Sequence, residues 1–166
     1  MNSQPDLNDW KKSRLSLVND LDDIILPPHV YVPGRSPRHP DDWFDEIKNT
    51  VTQDVSPENF GETRAFMAGL KYLEYGYYWE CHEVLEAVWM RTIDPSPERD
   101  MVSAIIQLAN ARLKVLMGLP RAARRLCDMV DTHLSRCPEA SPTLGLMVVD
   151  LKRKVEQTRE ALKDAV

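Results

Sequence analysis

The sequence predicts an all-α protein: a compact multihelical bundle of about five main helices, preceded by an extended Pro-rich strap. Three Ser-Pro pairs predict it, at Ser56-Pro57, Ser96-Pro97 and Ser141-Pro142, because each stands just before apolar residues at helical spacing. Serine accepts a hydrogen bond from a free helical N–H group, and proline fits the first helical turn. The chain shows no internal repeat and no pattern typical of paired strands.

The helix boundaries follow from these pairs and from two glycines, Gly76 and Gly118, which should end or bend a helix. We expect main helices over residues 57–75, 77–91, 97–117, 120–136 and 142–163. The third is apolar on almost every face and should be central. The last carries an apolar seam near heptad spacing, which suits either closing the core or pairing with a second subunit. The seam consists of Leu144, Met147 or Val148, Leu151, Val155 and Leu162.

We expect one domain over residues 1–166, since a chain of this length buries a sizeable core. The segment LPPHVYVPGRSPRHP should be extended, because its prolines and glycine interrupt regular elements. It should cross the helical body as a strap anchored by Val30, Tyr31 and Val32. The expected organisation is an N-terminal arm over 1–25, the strap and a short helix over 26–55, a core over 56–137 and a C-terminal helix over 142–163. The arm's Leu7, Trp10, Leu17 and Leu21 suit an amphipathic helix.

Charge and composition argue against several classes of protein: nucleic-acid binders, membrane-spanning proteins and secreted proteins. The formal net charge of −5 argues against a general nucleic-acid binder, which needs a basic face to displace counterions from phosphates. The most apolar stretch is interrupted by Gln107, Arg112 and Lys114 among others, so we expect no membrane span. No secretory signal pattern is visible, and three cysteines without a CxxC pair suit reduced thiols. We therefore expect a cytoplasmic protein without a cofactor.

One face of the helix WECHEVLEAVW mixes aromatic and ionisable side chains. At 3.6 residues per turn it collects Trp79, His82, Glu83, Glu86, Trp89 and Met90. Burying carboxylates and an imidazole beside two indoles requires hydrogen-bond partners or a solvent-lined cleft. The central helix carries a polar stripe that would satisfy this face if the two lie opposite each other. We therefore predict a ligand pocket between the two helices, lined by Trp79, His82, Glu86, Trp89, Gln107, Asn110 and Lys114.

Three interpretations of this face stay open. His82 and Glu86 are weak candidates for ligating a divalent metal with Glu83 as general base, since HEVLE differs from the zincin motif HExxH only at its last position. Without a metal, the same three residues are candidate catalytic groups for acid–base hydrolysis. The third interpretation is a structural lock between helices, because buried polar networks often fix packing without catalysis.

A metal site would need a third ligand. His29 and His39 lie in the strap, which could lower them onto the polar face. Cys81 offers no nucleophilic dyad with His82, because adjacent residues on a helix point about 100° apart.

The segment FMAGLKYLEYGYYWECHEVLEAVW, followed by SAIIQLANARLKVLMGLPRAARRL, resembles the domain of unknown function 309 family. The shared pattern is W-E-x-H-E-x-L-E-x-x-W, then I-Q-L-A before a Gly-terminated helix, and the strap also resembles an N-terminal element of family members. The resemblance covers about Leu26 to Leu134. It implies a compact multihelical fold and no established activity. The matching motif positions are Trp79, Glu80, His82, Glu83, Glu86, Trp89 and Gln107.

Two departures from the family pattern bear on the site. Cys81 stands where the family usually has Ala, and Lys114 lies near a position where many relatives have His. The second departure weakens any site that depends on an imidazole there.

We therefore expect a helical protein whose His/Glu cluster has a structural role or lines a small-ligand pocket. The alternatives are a hydrolase that uses His82, Glu83 and Glu86, and a protein–protein interaction module. Self-association into a homodimer would use an apolar patch, along the C-terminal helix from Leu144 to Leu162 or around Trp10.

Overall fold

The structure is a computed structural model that describes residues 23–163, and over that range the chain is helical without a strand. The all-α prediction is confirmed. The α-helices are α1 Asp45–Lys48, α2 Arg64–Tyr75, α3 Tyr78–Trp89, α4 Pro97–Leu116, α5 Pro120–Leu134 and α6 Val148–Leu162, and a 3-10 helix spans Pro57–Glu62. The amphipathic helix expected in the arm lies outside the described residues. Among those described, no helix has both the length and the apolar character needed to cross a membrane.

The central helix is α4, as the sequence predicts, and it packs against α3, α5 and α6. Its start is also as expected: Pro97 opens the helix, and Ser96 Oγ accepts a hydrogen bond from Arg99 N at 3.1 Å. The side chains of α4 that are fully buried are Met101, Val102, Ala104, Ile105, Leu108, Ala109 and Ala111. A helix surrounded on three sides needs such an apolar circumference.

Helices α2 and α3 form a tight antiparallel pair because of two glycines. Gly76 follows α2 with φ 86°, a left-handed conformation that glycine adopts without steric cost, and Tyr77 N then donates to Tyr72 O at 2.8 Å. At the contact between the helices, Leu85 packs directly over Gly69, whose missing Cβ leaves room for the leucine side chain. The chain reversal and the close helix approach therefore each depend on one glycine.

The expected helix over 57–75 is divided. Its first part is the 3-10 helix Pro57–Glu62, and Thr63 then has an extended backbone, φ −69° and ψ 147°, before α2 begins. Thr63 Oγ1 donates to Phe60 O at 2.8 Å and accepts from Phe66 N at 3.3 Å. A threonine that bonds to nearby backbone in both directions ends one helix and caps the next.

The last helix begins at Val148, so the predicted start at Pro142 is wrong. Between them, Thr143 and Leu146 exchange two backbone hydrogen bonds of 2.9 Å around Leu144 and Gly145, whose φ angles are 52° and 74°. Two successive positive φ angles make a tight turn that a helix cannot contain.

The predicted apolar seam of the last helix is buried within the chain. In α6 the buried side chains are Val148, Leu151, Val155, Thr158 and Leu162, and the helix packs on α4 and α5. Polar contacts add to this packing, since Arg112 of α4 donates to Thr158 Oγ1 at 3.1 Å. Of the two roles that the sequence allows for this seam, it closes the core; self-association through the helix stays a prediction.

Replacing Gly69 by alanine should destabilise the protein by about 1–3 kcal/mol, because the new methyl group would overlap the fully buried Leu85 side chain. The sign of the change in unfolding free energy is informative, because alanine at an ordinary helical position is about 1 kcal/mol more favourable than glycine. The measurement is chemical unfolding.

The matched control is Gly69→Ala in a Leu85→Ala background, which removes the overlap. There the added methyl group should be neutral or stabilising. An equal loss in both backgrounds would disprove the steric explanation.

Candidate functional site

The strap, residues 26–40, crosses the helical body without a helix or strand, as predicted. Its middle is folded into a small loop by its own hydrogen bonds: Ser36 Oγ donates to Val30 O at 2.8 Å and accepts from Val32 N at 2.8 Å. Gly34, with φ 81°, provides the reversal. These local bonds replace the partners that a regular element would supply.

Glu80 joins the strap to α3. Its Oε2 accepts hydrogen bonds from Tyr31 N at 2.9 Å and from His39 Nε2 at 2.8 Å. The side chains of His39 and Glu80 are 1% and 0% exposed, so water does not compete for the bond. We call Tyr31, His39 and Glu80 the strap latch. It links residues 49 and 41 positions apart in the sequence.

Aromatic rings surround the strap latch. The His39 ring centroid lies 4.4 Å from His29 and 5.5 Å from Phe44, and Tyr31 meets Trp79 edge-on at 5.0 Å. Because the His39 and Glu80 side chains are buried, little solvent screens the hydrogen bond between them.

The interior around the strap latch is poor in hydrogen-bond partners. Glu80 Oε1, His39 Nδ1 and the Tyr72 hydroxyl are buried and have no partner within the described residues. Burial raises the pKa of Tyr72, and the charge of Glu80 raises it further. The Tyr72 hydroxyl therefore stays protonated at physiological pH. The carboxyl group of Glu80 is buried beside it.

The two tryptophans predicted to wall one pocket have different surroundings. Trp79 packs on the strap through Tyr31. Trp89 Nε1 donates to Ser103 Oγ at 3.0 Å, and the Arg99 guanidinium lies 3.9 Å from the centroid of its ring. Ten residues of helix separate the two indoles by about 15 Å along the axis. Each therefore fixes one end of α3 against a different neighbour.

The candidate catalytic residues His82, Glu83 and Glu86 lie on the outer side of α3. Their side chains are 32%, 24% and 52% exposed, respectively. His82 Nε2 and Glu86 Oε2 are 3.9 Å apart, too far for a hydrogen bond. Glu83 Oε1 instead accepts a hydrogen bond from Lys48 Nζ, which ties α1 to α3. Acid–base chemistry by these residues stays a prediction.

Two residues of the polar stripe of α4 bond to each other, since Asn110 Nδ2 donates to Gln107 Oε1 at 3.2 Å, and both side chains are half-buried. Lys114 lies one turn further along, also half-buried. Within residues 23–163, no hydrogen bond joins this stripe to His82, Glu83 or Glu86. The direct pairing expected between the two stripes is therefore not formed there.

The strap histidines face a different side of α3 from the weak metal candidates His82 and Glu86. His39 bonds to Glu80, and residues two apart on a helix point about 200° apart. His29 Nε2 lies 2.7 Å from Pro37 O, inside the strap itself. In the part of the chain that the structure describes, no group of three or more His, Cys, Asp and Glu side chains is arranged to hold a metal ion.

The three cysteines are free and buried. Burial raises the pKa of Cys137 to about 11 and holds the pKa of Cys81 well above its ordinary value. Because the thiolate is the nucleophilic form, neither thiol is activated for nucleophilic catalysis.

In the folded protein, a thiol reagent near neutral pH should label all three cysteines far more slowly than in concentrated guanidinium chloride, where all three become accessible. A thiol added at the exposed surface by Ser135→Cys should react at once and serves as the positive control. Rapid labelling of Cys81 in the native protein would contradict its burial.

A cleft of about 350 Å³ opens where the chain before the strap, α1 and the start of α2 meet. We call it the strap cleft. It is lined by Asp23, Ile24, Ile25, Trp43, Glu46, Ile47, Thr50 and Arg64. Sequence periodicity could not reveal it, because its lining comes from separate segments of the chain and not from one helix face.

Two long-range hydrogen bonds fix the walls of the strap cleft. Lys71 Nζ donates to Ile24 O at 2.6 Å, which ties the first wall to α2. Ala65 N donates to Thr50 Oγ1 at 3.2 Å, which ties the end of the α1 wall to the first turn of α2. Another opening, at the corner between α4 and α5, is lined by residues 118–125 alone, so it is a groove along one stretch of chain.

Replacing Glu80 by alanine should lower the free energy of unfolding by about 2–4 kcal/mol, because His39 and Tyr31 N lose their buried acceptor. Glu83→Ala is the matched control on the same helix. Its partner Lys48 is partly exposed, so we expect a loss of about 1 kcal/mol or less. Denaturant unfolding measures both, and equal losses would refute the strap latch as the dominant contact.

Helix α3, which we call the motif helix because it carries W-E-x-H-E-x-L-E-x-x-W, lies in a range that matches a known family. Residues 66–126 match the family described as Domain of unknown function (DUF309), a range that runs from within α2 through α3 and α4 into α5. No curated protein and no solved structure matches the chain. The matched range contains Glu80 of the strap latch, whereas Tyr31 and His39 precede it. The resemblance seen in the sequence is thus confirmed over residues 66–126, which match the model of the domain of unknown function 309 family.

Proposed function

We propose that this protein is a small-molecule-binding helical domain and that the strap cleft is its binding site. The observation that carries the proposal is the cleft of about 350 Å³, which falls within the size range of ligand pockets, about 300–1,000 Å³. Its lining combines apolar side chains, among them Trp43 and Ile47, with a few charged ones. Such a mixture suits a ligand that is buried by apolar contact and oriented by polar contact.

In this proposal the motif helix α3 has a supporting role. Glu80 holds the strap through His39, and the His39 ring centroid lies 6.0 Å from that of Trp43 in the cleft wall. Glu83 holds α1, the other source of that wall, through Lys48. In this proposal, Glu80 and Glu83 of α3 therefore have a structural role, and the ligand binds elsewhere, in the strap cleft.

Hydrolysis by His82, Glu83 and Glu86 has less support. General acid–base catalysis needs a group within hydrogen-bond reach of a bound substrate. Glu83 already bonds to Lys48, and the strap cleft is lined by other residues. A homodimer through α6 has less support too, since its apolar face is buried against α4 and α5.

We further propose a reducing compartment, the cytoplasm, for this protein. The support is that all three cysteines are free and buried. In an oxidising compartment, disulfides form and persist, and free thiols are a liability.

Indole, a neutral apolar probe, tests the cleft by nuclear magnetic resonance of ¹⁵N-labelled protein. The chain has four tryptophans, and Trp43→Phe identifies the Trp43 indole signal. We expect indole to shift that signal with a dissociation constant of about 1 mM, the scale set by a small apolar fragment. The Trp89 signal should stay in place, because that ring is held by Ser103 and Arg99.

Ile47→Phe, which fills the cleft, should abolish the shift. Ile93→Phe is the control, since Ile93 is 63% exposed in the loop between α3 and α4. A shift confined to Trp89, or no loss of binding in Ile47→Phe, would count against the strap cleft as the binding site.

A further inference from the structure

Resting on the proposed function, we propose that the ligand of the strap cleft is a zwitterion with an apolar body. It carries an ammonium group and a carboxylate, as an α-amino acid with a large apolar side chain does.

Charged side chains of both signs line this one cleft. Asp23 and Glu46 are carboxylates and Arg64 is a guanidinium, and all three residues are exposed. Within the described residues, Arg64 makes no ion pair with either carboxylate. Opposite charges that share a cleft without meeting each other remain available to a ligand.

The opposite charges stand at different places on the cleft wall. Arg64 opens α2, and its neighbour Ala65 donates to Thr50 Oγ1, beyond the end of α1. Glu46 lies within α1 itself. A ligand that carries both an ammonium group and a carboxylate can make a charge-assisted hydrogen bond to each of the two residues.

The surface between the charges is apolar. Ile24, Trp43 and Ile47 contribute to it, and Ile25 is 78% exposed at its edge. The Trp43 ring is held edge-on against Phe44 at 4.8 Å between centroids, so its remaining face is positioned without a ligand. An apolar ligand body would cover surface that water now contacts, which favours binding.

A ligand with one charge satisfies the cleft less well. A simple amine would pair with Glu46 or Asp23 and leave Arg64 without a partner. A simple carboxylate would pair with Arg64 and place its negative charge in a lining that holds two carboxylates. A ligand with both charges avoids each of these costs.

The test compares L-phenylalanine with its two halves, phenethylamine and 3-phenylpropionate, by calorimetry and by the Trp43 indole signal. We expect phenylalanine to bind about fivefold more tightly than either half, as one additional solvent-exposed charge pair allows. Arg64→Gln should reduce the affinity for phenylalanine to that for phenethylamine and leave phenethylamine unaffected. The double variant Asp23→Asn/Glu46→Gln should reduce the affinity for phenylalanine to that for 3-phenylpropionate and leave 3-phenylpropionate binding unaffected. Arg35→Gln, at an exposed turn of the strap, is the control.

The outcomes separate this inference from the proposal on which it rests. If indole shifts Trp43 but phenylalanine binds no better than its halves, the zwitterion is excluded and the cleft remains a binding site. If neither indole nor phenylalanine shifts Trp43, both proposals are overturned. A fall of the phenylalanine affinity to that of one half in Arg64→Gln and in the double variant, with the full affinity kept in Arg35→Gln, supports the zwitterion.

Discussion

The buried carboxylate of Glu80 is the constraint on which the N-terminal half of the structure depends. Taking a carboxyl group out of water costs several kcal/mol unless hydrogen bonds replace the solvent. Among residues 23–163, those bonds come from the strap alone, through His39 Nε2 and the Tyr31 amide. The strap therefore cannot leave α3 without exposing the helix to that cost, and a segment with no regular structure of its own is held in one place.

The same constraint divides the motif helix into two sides. Glu80 points inward with Val84, Leu85 and Val88, while His82 and Glu86 point outward. Helical periodicity predicts one face for His82, Glu86 and the two tryptophans, but it does not say which of these side chains meet solvent. That depends on where the strap runs, and the strap's prolines predict its extended form without its path. The residue that matters most, Glu80, was visible in the sequence only as a family motif position.

Local signals in the sequence predicted helix ends where capping decides them. Ser96 and Gly76 act as expected, because their roles need only neighbouring backbone. Ser141-Pro142 failed for a reason that lies four residues further along. Gly145 would cost about 1 kcal/mol inside a helix and favours a turn, so this glycine is the sequence signal that indicates a later helix start. The strap cleft was beyond such reasoning, because long-range bonds from Lys71 and Ala65 assemble it.

The hydrogen bonds made by Glu80 and Glu83 connect the family motif to the proposed binding site. Glu80 holds His39, the His39 ring packs near Trp43, and Trp43 forms part of the cleft wall. Glu83 reaches the same wall from the other side, through Lys48 of α1. A motif glutamate can therefore shape ligand binding without touching the ligand, as positioning residues do in general. Two neighbouring carboxylates of α3 then have structural partners: Glu80 holds the strap on the inner side of the helix, and Glu83 holds the short helix α1 on the outer side.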